Sequence, residues 1–159
     1  MTFHALLDSA SEGELDRATD GTRWTNRQLL YHMMFGYLVV RTLLPLVKVV
    51  SRLPDGAGRA FAAGLNAATG PFDAVNYWGS RGGARFYRSA RRMGDRFDGV
   101  LASLERHLAA EEETDLARSM AFPTRWDPFF RDVMTVADVY GYATHHFEFH
   151  ARQLTLGGS

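Results

Sequence analysis

The strongest constraint on the fold is a helix-capping motif that opens a long apolar segment. Thr25 and Gln28 form an S/T-x-x-E/Q capping box, and Trp24 and Leu29 flank it as a hydrophobic staple. Downstream, apolar positions recur at intervals of three and four, the spacing of one helix face. These positions are Leu29, Met33, Gly36, Val40, Leu43, Val47 and Val50. The pattern predicts a core helix that begins after Thr25 and ends at the turn around Pro54.

A second capping box predicts the last helix of the chain. Thr135 and Asp138 form this box, after a loop that contains Pro123 and Pro128. The inward face of the helix is expected to carry Val139, Ala143, His146, His150 and Leu154. A helix from Arg81 to Ala110 is predicted between the two capped helices, with one apolar face. That face consists of Phe86, Met93, Phe97, Val100, Leu104 and Leu108.

The remaining segments are less regular. The N-terminal segment from Thr2 to Ala18 is predicted to be the fourth helical element, with a restart at the capping box of Ser11 and Glu14. The connection from Pro54 to Gly83 holds seven of the 15 glycines, and its length exceeds that of an ordinary loop. It is interpreted as a lid, an extra helix or an oligomer contact, with a short helix over 59–67 and an aromatic loop as the favoured form.

These patterns predict an all-α fold. No run of four to eight residues combines alternation of apolar and polar side chains with enrichment in β-branched residues, so strands are not expected. Four amphipathic helices with long connections are typical of a four-helix bundle, and residues 1–159 are interpreted as one domain. The most apolar run, Leu38 to Val50, contains Arg41, Pro45 and Lys48 and is shorter than the roughly 20 apolar residues that span a bilayer. No targeting segment opens the chain, so a cytoplasmic protein without a membrane partner is expected.

Composition limits the chemistry that the chain can support. The absence of cysteine excludes disulfides, thiolate metal sites and a cysteine nucleophile, so a metal site would rest on histidine and carboxylate ligands. The 18 Lys and Arg residues balance the 18 Asp and Glu residues, so no global field attracts nucleic acid.

Three histidines are the candidate metal ligands. His146 and His150 are four residues apart, so both lie on one helix face and can converge on one ion. Both fall on the apolar stripe, where an imidazole is more costly to bury than Leu or Val. His32 lies on the apolar stripe of the helix that begins after Thr25, with Leu29 and Gly36. Such a triad leaves coordination positions open for water or substrate. The alternative is three core aromatic residues with tyrosine or backbone partners.

Other polar residues carry weaker hypotheses. His145 is expected to face a neighbouring helix or the rim of the pocket, and Asp127 or Asp132 is a candidate for orienting a ligand histidine. The helix face from Arg81 to Arg96 carries arginines at intervals of four, three, four and four, which nucleic acid could use. A solvated face neutralised by nearby acidic residues is the preferred interpretation, because the net charge is zero.

Three segments carry a resemblance to a known family. The first has Trp24 and Thr25 ahead of a run that ends at His32; the second is 135–140; the third is an H-x-x-x-H-x-x-Q pattern that ends at Gln153. In order and spacing, across essentially the whole chain, the sequence resembles the DinB/YfiT-like superfamily of metalloenzymes. It departs from the usual family plan in its short first helix and in the Gly-rich connection.

The resemblance implies a DinB-like bundle of up-down-down-up type in which His32, His146 and His150 are the metal ligands. It also implies a homodimer that activates a low-molecular-weight thiol, or water, for transfer to or hydrolysis of a small-molecule substrate. Zn, Ni and Fe ions all suit imidazole ligands, so the divalent metal is left open. Whether the protein is an enzyme is also open. The alternatives are a dimeric metal-binding or stress-response module without catalysis, and a nucleic-acid binder that uses the Arg81 to Arg96 face.

Overall fold

The computed structural model of the protein describes residues 2–157 and shows that the fold is all-α, as predicted. The elements follow in chain order as α1 (Phe3–Asp8), α2 (Glu12–Leu15), α3 (Asn26–Val50), α4 (Asp55–Ala67), α5 (Thr69–Phe86), α6 (Ala90–Ala109), α7 (Glu113–Leu116), β1 (Ser119–Ala121), β2 (Val133–Thr135) and α8 (Val136–Ala151). The long helices are α3, α5, α6 and α8, and α3 packs against each of the other three.

The predicted capping boxes begin α2, α3 and α8. At α3, the Gln28 backbone N–H donates to Thr25 Oγ1 at 3.4 Å, and the Thr25 N–H donates to Gln28 Oε1 at 3.3 Å. At α8, Asp138 N–H donates to Thr135 Oγ1 at 3.0 Å, and Thr135 N–H donates to Asp138 Oδ2 at 2.8 Å. Two orphan donors are satisfied at each start, so these helix starts are set locally.

The predicted apolar stripes form most of the core around α3. Leu29 and Met33 of α3 are fully buried, as is Val100 of α6. Two stripe positions deviate, since Leu43, within the α3 stripe, is 39% exposed and Phe86, at the beginning of its stripe, is 74% exposed. The α3 helix is also long and apolar enough to cross a membrane. A buried core helix of a soluble protein meets the same criteria of length and composition.

The segment predicted as a short helix and an aromatic loop is instead two consecutive helices. The first, α4, begins at Asp55, four residues earlier than expected, and the second, α5, replaces the loop. The glycines of α5 interrupt the apolar helical pattern in the sequence, but one of them has a packing role. A Cβ on Gly83 would overlap the ring of Tyr31, so the absence of a side chain lets α5 approach α3.

The helix predicted from Arg81 to Ala110 is wrong at its beginning. Residues 81–86 end α5, and α6 begins at Ala90, after Ser89 accepts a hydrogen bond from the Arg92 N–H at 3.4 Å. The continuous face from Arg81 to Arg96 therefore does not exist, because its arginines are divided between two helices and the turn that joins them.

A two-stranded sheet corrects the expectation that strands are absent. β1 and β2 pair antiparallel, with Met120 opposite Met134. Three residues per strand are too few to show alternation in a sequence. The pairing closes the segment 122–132 into a loop that is anchored at both ends and leads directly into α8.

Candidate metal centre

The fold brings together the three histidines that the sequence singles out. His32 of α3 and His146 and His150 of α8 offer ligand nitrogens that all lie within 4.8 Å of one another. Their ring centroids are 4.5 to 4.8 Å apart. His32 is 4% exposed and His146 is 3% exposed, while His150 is half-buried. The three rings could hold one metal ion.

Local sequence and helix packing produce this convergence. His146 and His150 are one turn apart on α8, and His32 lies in the second turn of α3, which packs against α8. Gly36 lies one turn after His32 and faces His146. A Cβ at Gly36 would be 3.0 Å from His146 Nδ1, tighter than an ordinary contact, so the glycine makes room for the imidazole.

Two of the histidines are oriented by hydrogen bonds at Nδ1. His150 Nδ1 donates to Gln153 Oε1 at 2.6 Å, and His32 Nδ1 pairs with Ser80 Oγ at 3.2 Å. Ser80 is fully buried on α5. The ring of Trp24 packs on His32 with centroids 4.3 Å apart. Because Nδ1 is engaged in both rings, Nε2 is left as the ligand atom.

His146 provides the test of whether a metal fits. Within residues 2–157, its Nδ1 is one of three buried side-chain polar atoms that have no hydrogen-bond partner. A buried polar atom without a partner is costly, and core histidines with tyrosine or backbone partners would not show one. The unpartnered nitrogen and the convergence of three imidazoles together fit a divalent cation.

The electrostatics of the cluster favour uncharged imidazoles. Burial, together with a smaller effect of the neighbouring His150, lowers the pKa of His146 to about 3. Burial also holds the pKa of His32 well below its usual value, with His146 and His150 adding to the effect. Burial lowers the pKa of His150 as well. Neutral imidazole is the form that binds a metal, so the site is ready for an ion near neutral pH.

Asp127 is the carboxylate that the fold places beside the triad. Its Oδ2 lies 4.0 Å from His146 Nε2 and accepts a hydrogen bond from the Tyr142 hydroxyl at 2.8 Å. Its Oδ1 accepts from the Phe129 N–H at 2.9 Å. Burial raises the pKa of Asp127. Of the two aspartates considered from sequence, Asp127 thus lies at the site, whereas Asp132 is exposed at the end of the loop.

A mostly apolar cavity of about 160 Å³ borders the triad. His32, His146, Gly36, Asn76 and Asp127 are among the residues that line it. The rest of its wall is contributed by α3, α4, α5, the segment 120–130 and α8. Its apolar side chains are Phe35, Val39, Leu43, Leu46, Val47, Phe61, Leu65, Phe72, Met120, Phe122, Pro123, Trp126 and Phe130.

The other histidines lie outside the cluster. His145 is exposed on α8, next to His146 in sequence but on another face. His4 is exposed and pairs with Asp98 at 2.8 Å, and that hydrogen bond raises its pKa. His107 is exposed in the last turn of α6.

Sequence reasoning missed three residues around the triad: Ser80, Asn76 and Tyr142. Ser80 and Asn76 belong to α5, which was predicted as a loop, so no pattern pointed to them. Tyr142 lies one turn before His146 on α8, a spacing that could have drawn attention to it. Gln153 is part of the H-x-x-x-H-x-x-Q motif, but its hydrogen bond to His150 becomes apparent only in the structure.

Comparison with known proteins identifies one family. The sequence profile of a family described as the DinB superfamily matches residues 1–154. Searches of curated proteins and of solved structures give no significant match.

Proposed function

Because the chain belongs to the DinB superfamily, we propose that His32, His146 and His150 bind one divalent ion in an enzyme that activates a low-molecular-weight thiol or water. The observation that carries the proposal is the convergence of three buried ligand nitrogens within 4.8 Å beside a cavity. Structural zinc sites use four protein ligands, whereas the cluster found among residues 2–157 contains three. A metal ion held by three protein ligands keeps a coordination position open for a reactant.

The chemistry divides between the ion and the chain. When bound, a divalent ion supplies a Lewis acid that lowers the pKa of a thiol or water and so produces a nucleophile near neutral pH. The chain has no cysteine, so a reacting thiol must come from a small molecule. Zn, Ni and Fe ions each suit this donor set.

Asp127 is the side chain best placed to accept a proton. It lines the cavity next to His146, and its two hydrogen-bond donors, Phe129 N–H and Tyr142 hydroxyl, hold the carboxylate in place. A positioned general base typically contributes 10² to 10⁴ in rate. Asp127→Asn should therefore lower kcat at least about 100-fold with a change in metal content much smaller than that of a ligand variant.

The metal content of the purified, untagged protein tests the proposal. Plasma mass spectrometry should find about one divalent ion per chain, and His146→Ala and His150→Ala should lose it. His145→Ala is the matched control, because this neighbouring histidine is exposed and lies outside the cluster. Circular dichroism should show that all variants remain helical. Unchanged metal in His146→Ala, or no metal in the wild type after reconstitution, would refute the site.

Two further expectations stay predictions. They are a homodimer and a cytoplasmic location. The nucleic-acid alternative loses its main argument, because the arginine face on which it depended is divided between α5 and α6.

A further inference from the structure

The cavity beside the histidines differs in character from the histidine cluster itself. His32 and His146 lie at its wall together with Asn76, Asp127 and Tyr142, and these are its polar residues among those that the structure describes. Two of them interact directly, since the Tyr142 hydroxyl donates to Asp127. The remaining wall consists of aliphatic and aromatic side chains with a proline and a glycine. A reactant at the histidines would therefore have its remaining atoms in apolar surroundings.

Charge further restricts what the cavity can accept. No Lys or Arg occurs among its described lining residues, and the acidic residue among them is Asp127. A carboxylate or phosphate on the buried part of a substrate would lose its hydration without gaining a cation. A polar thiol of low molecular weight would likewise be costly to bury there. The occupant suited to this wall is the uncharged body of the other reactant.

One wall of the cavity is held in place by specific contacts. Trp126 stacks on Phe72 of α5, with centroids 4.1 Å apart and planes 10° apart, and its Nε1–H donates to the Leu65 carbonyl oxygen at 2.7 Å. The preceding residue makes a further contact with α4, since the Arg125 backbone N–H donates to Asn66 Oδ1 at 3.0 Å. The loop thus joins both α4 and α5. These contacts fix the position of this wall relative to α4 and α5.

The size of the cavity corresponds to one aromatic ring. The cavity volume is about 160 Å³, and an apolar protein cavity of roughly 150 Å³ binds benzene. We propose that the substrate of this site carries an uncharged aryl group, or an alkyl group of similar size, which occupies the cavity while the reacting polar group lies at the histidines. The inference rests on the proposed function and adds the class of substrate to it.

Two hydroxamates that share one chelating head test this inference. Benzohydroxamate carries a phenyl group, whereas acetohydroxamate carries a methyl group. In calorimetric titrations of the Zn-loaded protein, benzohydroxamate should bind at least tenfold more tightly, and 4-carboxybenzohydroxamate should lose this advantage. Equal affinities for the phenyl and methyl compounds, or a retained advantage for the carboxylated one, would overturn the inference.

Filling the cavity provides the matched variant. Val39→Phe places a ring in the cavity wall, while Val49→Phe makes the same change on α3 at a position that is 59% exposed. Val39→Phe should abolish the phenyl advantage without weakening acetohydroxamate, and Val49→Phe should preserve both affinities. A phenyl advantage that survives Val39→Phe would contradict the inference. Leu43→Phe, at a lining position that is 39% exposed, replaces Val39→Phe if that variant does not fold.

A metal-free measurement separates this inference from the proposed function. Toluene needs no metal, so its binding to the metal-free protein, followed by NMR, reports on the cavity alone. If toluene binds and Val39→Phe, or its replacement Leu43→Phe, removes that binding, the ligand class is supported even when the protein takes up no zinc. In that case only the metal proposal fails. If the zinc-loaded protein binds both hydroxamates equally and the metal-free protein does not bind toluene, the metal proposal stands and the inference is overturned.

Discussion

The two helix pairs around the histidines are built differently. The pair α3 and α8 carries all three histidines, and each of these helices begins with a complete capping box. The pair α4 and α5 covers the site, and neither of these helices has a side-chain cap. Each covering helix buries only two residues, whereas α3 buries 14. The positions of the ligand histidines therefore depend on helices whose starts are set by local capping boxes. The surroundings of the histidines depend on the packing of α4 and α5 against the rest of the fold.

Gly83→Ala should have the largest effect, because it breaks the covering side. The new Cβ would overlap the Tyr31 ring, which is buried and stacked on Phe35 and Tyr87. Overpacking of this kind should lower the free energy of unfolding by about 3 kcal/mol in urea titrations.

Gly82→Ala is the control for that prediction, since nothing lies within 4 Å of the Cβ it would add. It should stabilise α5 by about 0.5 to 1 kcal/mol, because glycine is a poor helix former. Equal effects of the two alanines would show that α5 does not pack closely on α3.

Metal affinity should reveal which pair of helices orients the ligands. Ser80→Ala removes the partner that α5 offers to His32, and Gln153→Leu removes the partner that follows α8. Loss of such a partner typically weakens metal binding 10- to 100-fold. Competition with a zinc chelator should show a loss in both variants. If Ser80→Ala binds zinc as tightly as the wild type, α5 covers the site without orienting it.

Stability of the metal-free protein should depend on pH through the ligand helices. The pKa of His146 is about 3 in the folded state against about 6.5 unfolded, so protons bind the unfolded chain preferentially between these values. The free energy of unfolding should fall as the pH drops below about 6.5, by up to about 1.4 kcal/mol per pH unit for this histidine. His146→Leu should reduce that slope, measured by urea unfolding between pH 6.5 and 5.

His4 gives the opposite sign and serves as the comparison. Its pKa is raised, mainly by its hydrogen bond to Asp98, so its contribution to stability is present at low pH and is lost as the pH rises through the folded pKa. His4→Gln should therefore leave the loss of stability below pH 6.5 intact or steepen it slightly. A shallower slope in His4→Gln than in His146→Leu would contradict the assignment.

The smallest expected effect concerns the helix caps. Thr135→Ala removes the side-chain acceptor for the Asp138 N–H at the start of α8. It should cost about 1 kcal/mol of unfolding free energy, in line with other N-cap substitutions. Thermal unfolding followed by circular dichroism would measure it, with Thr42→Ala as the control because Thr42 is exposed in the interior of α3, away from any helix start. A loss in Thr42→Ala as large as in Thr135→Ala would show that the cap does not stabilise the start of α8.

Sequence periodicity predicted α3 and α8 well and α5 poorly, for a physical reason. The α3 stripe combines large apolar residues at helical spacing with a capping box, so both period and start are visible. The α5 segment contains several glycines, exposes Val75 and Trp78, and begins without a cap. Its helical state depends on packing against α3, which a local pattern does not report.

The sequence by itself determined the all-α class, the two capped helices and the identity of the three histidines, because capping and helical spacing act over a few residues. Only the tertiary structure decided that Ser80 supports His32, that Asp127 lies beside His146, and that an apolar cavity borders the triad. These features join residues from α3, α5, α8 and the loop before α8. Their distances depend on how helices pack, which the spacing of residues along one helix does not specify.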